Sequence, residues 1–174
     1  MDTYPSPFSS PAVRMLETRL THPGSKRGPL LREASDAAAV LMHLVGDADR
    51  EHFVALYLDA RHCITHARIV SRGTLRDATV HPREVFKGAV LANAHALIVG
   101  HNHPSGDVEP SPEDRRITDR LREAGELLGI ELLDSLVVGP RSQYHAFSES
   151  RTVTLTASPE TVAQCAEQEA SHGS

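Results

Sequence analysis

The chain has 174 residues, of which 40% are hydrophobic, and a formal net charge of -5. This length suits one domain with a real core, and uninterrupted apolar runs such as ALIV at 96–99 are far too short to cross a membrane. The acidic balance and the scattered Lys and Arg residues disfavour nucleic-acid binding, and two cysteines without metal-type spacing are typical of reduced thiols.

The two ends of the chain differ in composition from its middle. Residues 1–30 are rich in proline and serine, and we expect them to form a flexible arm. The first residues lack the basic start and apolar stretch of a secretory signal, so a cytoplasmic location is expected. The folded domain is predicted over 31–152, and 153–174 is predicted to be a polar, weakly helical tail.

The first half of the domain is predicted to contain a helix, a hairpin and a second helix. The first helix is predicted to start with Ser35 as its N-cap and to stop at Gly46. EHFVALYLDARHCITHARIVSRG alternates as two strands with a turn near 59–61, which predicts a hairpin. The second helix is predicted to begin at Pro82, and its apolar stripe consists of Val85, Phe86, Ala89 and Val90.

The second half is predicted to alternate strands and a helix. HALIVG is a short apolar run typical of a strand buried on both faces. A helix is predicted after Pro112 and is expected to end at Gly129; its stripe consists of Ile117, Leu121, Ala124 and Leu128. IELLDSLVVG and QYHAFSES are predicted strands. The order indicates an α/β layered domain with a mixed sheet and helices on both faces.

The segment GHNHPSGDVEPSPED, residues 100–114, carries the chemistry. Side chains alternate along a strand, so His101 and His103 are expected to point the same way and Asn102 the other way. Catalytic zinc usually takes three protein ligands and leaves a fourth position open. Asp114 is the candidate third ligand, because a turn over Pro104–Gly106 can bring the next helix back beside the strand end.

A structural interpretation competes with this one. Ser111 is a good helix N-cap, Pro112 suits the first helical position, and an acid at Asp114 completes a capping box. Taken alone, SPED is more typical of a helix start than of a site. The H-x-H pair and SPED together, separated by a forced turn, favour a metal centre.

A hydrolytic metal centre also needs a general base for the attacking water. Glu51, at the start of the first predicted core strand, is our candidate. On spacing alone it competes with Glu84, Glu109 and Glu113.

The pattern of a distant Glu, H-x-H-P, seven residues and S-x-x-D resembles the JAMM metalloprotease motif of JAB/MPN domains. More narrowly, HNHPSG, HPREVFK, PSPED and SLVVG resemble the RadC-like branch, over roughly residues 35–150. The resemblance implies a cytidine-deaminase-like three-layer sandwich with a mixed sheet between helices. It also implies the site residues: His101, His103 and Asp114 as ligands of Zn²⁺, Glu51 as the base, and Ser111 as hydrogen-bond donor to the oxyanion.

Two features depart from the RadC-like pattern. The Pro-rich arm lacks the helix-hairpin-helix pattern that RadC-like proteins usually carry, which weakens a DNA-repair interpretation. Ser135 stands where the branch typically has His, which affects a contact near Asp134 and leaves the ligand set unchanged.

The leading hypothesis is a zinc metallopeptidase or isopeptidase that acts on a peptide or protein substrate. The alternative is a DNA-associated RadC-like accessory protein without hydrolytic activity, and a third interpretation is an inactive scaffold. An edge strand and an acidic surface would permit a homodimer.

Overall fold

The computed structural model describes residues 28–73, 80–140 and 142–155. Most of the predicted arm and most of the predicted polar tail lie outside these residues. Within them the chain forms three helices and six strands. In chain order these are α1 Ala34–Val45, β1 His52–Leu58, β2 Ile64–Arg72, α2 Pro82–Leu91, β3 Ala96–Asn102, α3 Pro112–Leu128, β4 Glu131–Val138, β5 Gln143–Ala146 and β6 Arg151–Thr154.

The six strands form one mixed sheet in the order β2-β1-β3-β4-β5-β6. β3 and β4 run parallel, as expected for strands joined by a helix, and every other neighbouring pair is antiparallel. The predicted hairpin is β1 and β2. The α/β class and the mixed sheet between helices are therefore confirmed.

Each face of the sheet has its own apolar core. On one face α1 packs through Leu41 and Met42 against Val54 and Ile98. On the other face α2 and α3 pack through Phe86 and Leu121, among others, against Phe53 and Val99. The central strands β1 and β3 are covered on both sides, so nearly every residue in them is buried.

Gly100 in β3 lets α1 approach the sheet closely. A Cβ atom at this position would lie only 2.3 Å from Leu41 Cδ1 and 3.1 Å from the Leu136 carbonyl oxygen. The absence of a side chain is therefore what allows Leu41 to pack against the backbone of β3. The next residue along this strand is His101.

Several predicted details are wrong. The N-cap of α1 is Glu33, two residues before the expected Ser35, because the carboxylate of Asp36 accepts hydrogen bonds from backbone amides farther upstream. Val90 is 61% exposed and Leu128 is 51% exposed, so each lies outside the buried face of its helix. β6 was not predicted; it is a short edge strand paired only with β5, and it extends to Thr154.

Among the described residues, no helix combines the length and the apolar character that crossing a membrane requires.

Candidate metal centre

The first histidine, His101, lies near the end of β3, one of the central strands of the sheet. His101 is 1% exposed, and its ring stacks on Phe53 of β1 with centroids 6.0 Å apart and planes 11° from parallel. His103 follows the strand, and its backbone amide donates to the Val138 carbonyl at the end of β4. The two histidines face the same side, with their Nε2 atoms 3.1 Å apart.

A short connection reverses the chain between β3 and α3. Gly106 has a φ of +83°, which favours glycine, and its amide donates to the His103 carbonyl. Val108 and Pro110 are buried farther along and anchor the connection to the domain. The chain therefore enters α3 with Ser111 beside the end of β3.

The predicted capping box is present at the start of α3. Ser111 is the N-cap, and its Oγ accepts from the Asp114 amide at 3.2 Å. In return, Asp114 Oδ2 accepts from the Ser111 amide at 2.7 Å and from the Ser111 hydroxyl at 2.6 Å. These bonds aim the Asp114 carboxylate into the fold, where the residue is 1% exposed.

The same carboxylate reaches both histidines. Asp114 Oδ1 lies 3.2 Å from His101 Nε2, and Oδ2 lies 3.7 Å from His103 Nε2. Burial raises the pKa of Asp114, but the neighbouring His101 ring and the hydrogen bonds from Ser111 outweigh it and lower the pKa to about 2. Asp114 is therefore anionic at neutral pH, as a metal ligand of this type needs to be.

The orientation of His103 is fixed by a backbone carbonyl. Its Nδ1 lies 2.6 Å from the Asp107 carbonyl oxygen, which can only accept, so Nδ1 carries the proton. Neutral His103 then has its lone pair on Nε2, toward His101 and Asp114. This carbonyl contact selects the tautomer that a metal ligand needs.

The three ligands fit a divalent cation. Asp114 Oδ1 is buried and accepts no hydrogen bond of ordinary geometry, although its group is ionised. Ligand atoms 2.0–2.1 Å from a tetrahedral zinc would lie about 3.3 Å from one another. The two Nε2 atoms are 3.1 Å apart and His101 Nε2 lies 3.2 Å from Asp114 Oδ1, both close to that value, and His103 Nε2 lies 3.7 Å from the other carboxylate oxygen, Oδ2. Electron-rich atoms this close together, in a buried place, favour a cation between them.

Glu51 completes the group. It lies just before β1 and contributes a carboxylate oxygen to a cluster with His101, His103 and Asp114 in which all four ligand atoms lie within 4.8 Å of one another. A cleft of about 460 Å³ opens over the cluster; its lining consists of Glu51, His103, Pro104, Ser105, Asp107, Glu109 and Ser111. The structure thus brings all five predicted site residues together at one cleft.

Two supporting contacts were not apparent from the sequence. The Asp107 carbonyl that orients His103 is a backbone group, so no residue type marks it. The other contact joins α3 to β4, where the Thr118 hydroxyl donates to Ser135 Oγ at 3.0 Å, one turn beyond Asp114. Ser135, the residue that departs from the RadC-like pattern, thereby holds α3 to the sheet near the site.

Comparison with known proteins is consistent with this geometry. Residues 31–152 match the family described as RadC-like JAB domain. A UPF0758 protein of Rubrobacter xylanophilus is 44% identical over 128 residues, which cover 74% of this chain and 56% of that protein.

Two further relatives are also UPF0758 proteins. A UPF0758 protein of Staphylococcus haemolyticus is 48% identical over 105 residues, covering 60% of this chain and 46% of the relative. One of Desulforudis audaxviator is 48% identical over 111 residues, covering 64% and 48%. The chain thus spans about half the length of the curated relatives it matches.

Proposed function

Because the chain belongs to the RadC-like JAB domain family, we propose that it is a zinc-dependent hydrolase of amide bonds in a peptide or protein substrate. The observation that carries the proposal is the cluster of two imidazoles and two carboxylates at the floor of an open cleft. Three of these groups are nearly in ligand geometry, and the fourth is within reach of a water molecule beside them.

Zinc is the metal that suits these ligands. Two imidazole nitrogens and one carboxylate oxygen are a frequent ligand set of catalytic zinc, which keeps a fourth position for water or substrate. Magnesium and calcium prefer all-oxygen surroundings, so the histidine pair disfavours both. His101 and Asp114, both almost fully buried, supply the rigid part of the site.

Zinc, when bound, would supply Lewis-acid chemistry, lowering the pKa of water to about 7 and polarising a carbonyl. Glu51 accepts the proton of the attacking water on its carboxylate and returns it to the nitrogen of the leaving amine. Glu51 thus carries out both proton transfers and ends the reaction in its starting protonation state.

Ser111 has a second role after capping α3. Its hydroxyl donates to Asp114 Oδ2, and one hydroxyl proton serves one acceptor at a time. Asp114 would offer Oδ1 to the metal, and Oδ2 keeps its hydrogen bond from the Ser111 amide, so the Ser111 hydroxyl is free to rotate toward the cleft. There it donates to the oxyanion of the tetrahedral intermediate, as a preorganised donor of this kind does in other hydrolases.

The substrate we propose is an extended peptide or a protein segment, with a linear or an isopeptide bond. The cleft is shallow and open, and the exposed residues Ser105, Asp107 and Glu109 stand on its rim. An open site of this shape suits a chain that lies across the surface better than a small enclosed ligand.

The experiment is metal analysis joined to an amidase assay. We expect wild type to bind about one zinc per chain and His103→Ala to lose it, whereas Glu51→Gln should keep the metal and lose turnover. His95→Ala is a matched control, because His95 is an exposed histidine just before the opposite end of β3. Fluorescein-labelled casein and an isopeptide-linked lysine reporter serve as the two substrates.

Equal zinc content in wild type and His103→Ala would refute the site. Full turnover in Glu51→Gln would refute the role of the base. Retardation of a labelled DNA duplex by the metal-free protein at physiological salt, without turnover of either reporter, would instead support the accessory DNA-binding alternative.

A further inference from the structure

Asn102 lies between the two histidine ligands and points away from them. It is 1% exposed, on the face of the sheet covered by α1. Side chains alternate along β3, so His101 and His103 face the cleft while Asn102 faces the opposite core. None of the roles proposed above uses this buried polar residue.

The side chain of Asn102 binds the backbone on both sides of Glu51. Its Oδ1 accepts from the His52 amide at 2.8 Å, and its Nδ2 donates to the carbonyl oxygens of Arg50 at 3.0 Å and Ala48 at 3.3 Å. The orientation of the amide is unambiguous, because a backbone N–H only donates and a carbonyl only accepts. Both amide hydrogens and the oxygen are thus satisfied by one short segment.

That segment has little regular structure of its own. Residues 46–51 lie between α1 and β1, and Glu51 comes just before the first residue of β1. Two backbone hydrogen bonds hold the segment: the Ala48 amide donates to the Val45 carbonyl, and the Gly73 amide donates to the Glu51 carbonyl. Neither joins this segment to β3, the strand that carries the candidate ligands, whereas the Asn102 side chain joins residues 48, 50 and 52 to that strand directly.

We propose that Asn102 is a positioning residue that sets the Glu51 carboxylate relative to His101 and His103. The inference rests on the proposed function, in which Glu51 is the base. One buried amide on the ligand strand ties the base-bearing segment to that strand, so base and ligands move as one unit. Side chains that orient the ligands of a metal site typically change metal affinity or activity by about 10–100-fold when removed, and we expect an effect at the lower end of this range for a residue that orients the base.

The test is a double-mutant cycle that requires no natural substrate. Acetohydroxamate chelates a metal through its two oxygens and gives a proton to a carboxylate in the position of the base. Its affinity for the Co²⁺-loaded protein is read from the change in the visible absorption of the cobalt. We expect Asn102→Ala and Glu51→Gln each to weaken binding about tenfold. The double variant should be no weaker than Glu51→Gln alone, because Asn102 acts through Glu51.

Ser148→Ala is the control for loss of a side-chain hydrogen bond elsewhere in the fold. The Ser148 hydroxyl, in the connection after β5, donates to Asp134 Oδ2 in β4 at 2.7 Å. Loss of this hydroxyl should leave acetohydroxamate affinity unchanged. Zinc affinity should stay within a few-fold of wild type in Asn102→Ala, which separates positioning of the base from damage to the ligands.

Additive losses in the double variant would overturn the proposal while leaving Glu51 as the base. If Glu51→Gln leaves acetohydroxamate affinity unchanged, the base assignment and this inference both fail. If Asn102→Ala does not fold, Asn102→Ser replaces it in the double-mutant cycle. Backbone amide hydrogen exchange of this variant is then the second measurement. Exchange should then rise at residues 48–52 and stay at the wild-type rate at 101–103; equal rises in both segments would overturn the proposal.

Discussion

Two helices of this protein begin in almost the same way, yet only one begins at the site. Asp36, in the first turn of α1, accepts hydrogen bonds from the backbone amides of Arg32 at 2.8 Å and Glu33 at 3.3 Å. Asp114, in the first turn of α3, accepts from the amide and the hydroxyl of Ser111. In both helices an acid near the positive end of the helix dipole satisfies free backbone donors.

The difference lies in what surrounds the second carboxylate oxygen. Asp36 is partly exposed, and water can solvate it. Asp114 is 1% exposed and faces the Nε2 atoms of His101 and His103. A capping aspartate thus becomes a candidate metal ligand when a strand end brings imidazoles to it and burial removes the water. The helix start alone does not distinguish the two cases.

The largest expected difference between the two aspartates appears when the charge of each is removed in turn. Asp114→Asn should weaken zinc binding by more than about 100-fold, because it removes a ligand rather than a supporting contact. Competitive titration against a chromophoric chelator measures the dissociation constant.

Asp36→Asn serves as the control for the same change at the other helix. It should leave the zinc dissociation constant unchanged within twofold and cost at most about 1 kcal/mol of unfolding free energy. A comparable loss of zinc affinity in both variants would mean that helix capping, and not ligation, explains the result.

Zinc should stabilise the fold only while the α3 start retains its ligand. With free zinc at about 100 times the dissociation constant, binding adds about 2.7 kcal/mol, which corresponds to a rise in Tm of about 5 to 10 °C. We expect this rise in wild type and in Asp36→Asn, and its absence in Asp114→Asn. Scanning calorimetry with and without a chelator measures it. A rise of the same size in all three proteins would place the zinc elsewhere.

The smallest expected effect concerns the cap itself. Ser111→Ala removes the acceptor of the Asp114 amide and one donor to Asp114 Oδ2, and should lower the unfolding free energy by about 1 kcal/mol. Zinc affinity should fall by less than about tenfold, since all three ligands remain. Turnover should fall further than stability explains, because the oxyanion donor is lost. Chemical denaturation and the amidase assay, compared on the same sample, separate the two effects.

The local pattern of the sequence was sufficient to predict most of the site. His101 and His103 alternate with Asn102 on a strand, a glycine-containing turn follows, and Ser111 with Asp114 marks a helix start. These features depend on neighbours along the chain, which is why periodicity and capping chemistry identified them. The choice of Glu51 depended on the family resemblance, because spacing alone also allowed other glutamates.

The rest depends on contacts between distant segments. The hydrogen bonds from Asn102 to the segment before β1 depend on the register of β1 against β3, which the sequence does not reveal. β6 is only four residues long and exists through its pairing with β5. The exposure of Val90 shows the same limit, because helical spacing alone does not reveal how wide a face of the helix is covered.

The three candidate ligands all come from one uninterrupted segment, 101–114, whereas Glu51 arrives from a separate part of the chain. In the proposed function, affinity for the ion therefore depends mainly on a strand, a turn and a helix start, whereas reactivity also depends on the assembly of the sheet that brings Glu51 to them. Mutations elsewhere in the fold can therefore abolish reactivity and preserve affinity for the ion. A lineage of such domains can accordingly drift from catalyst to ion-holding scaffold without any change in its most recognisable motif.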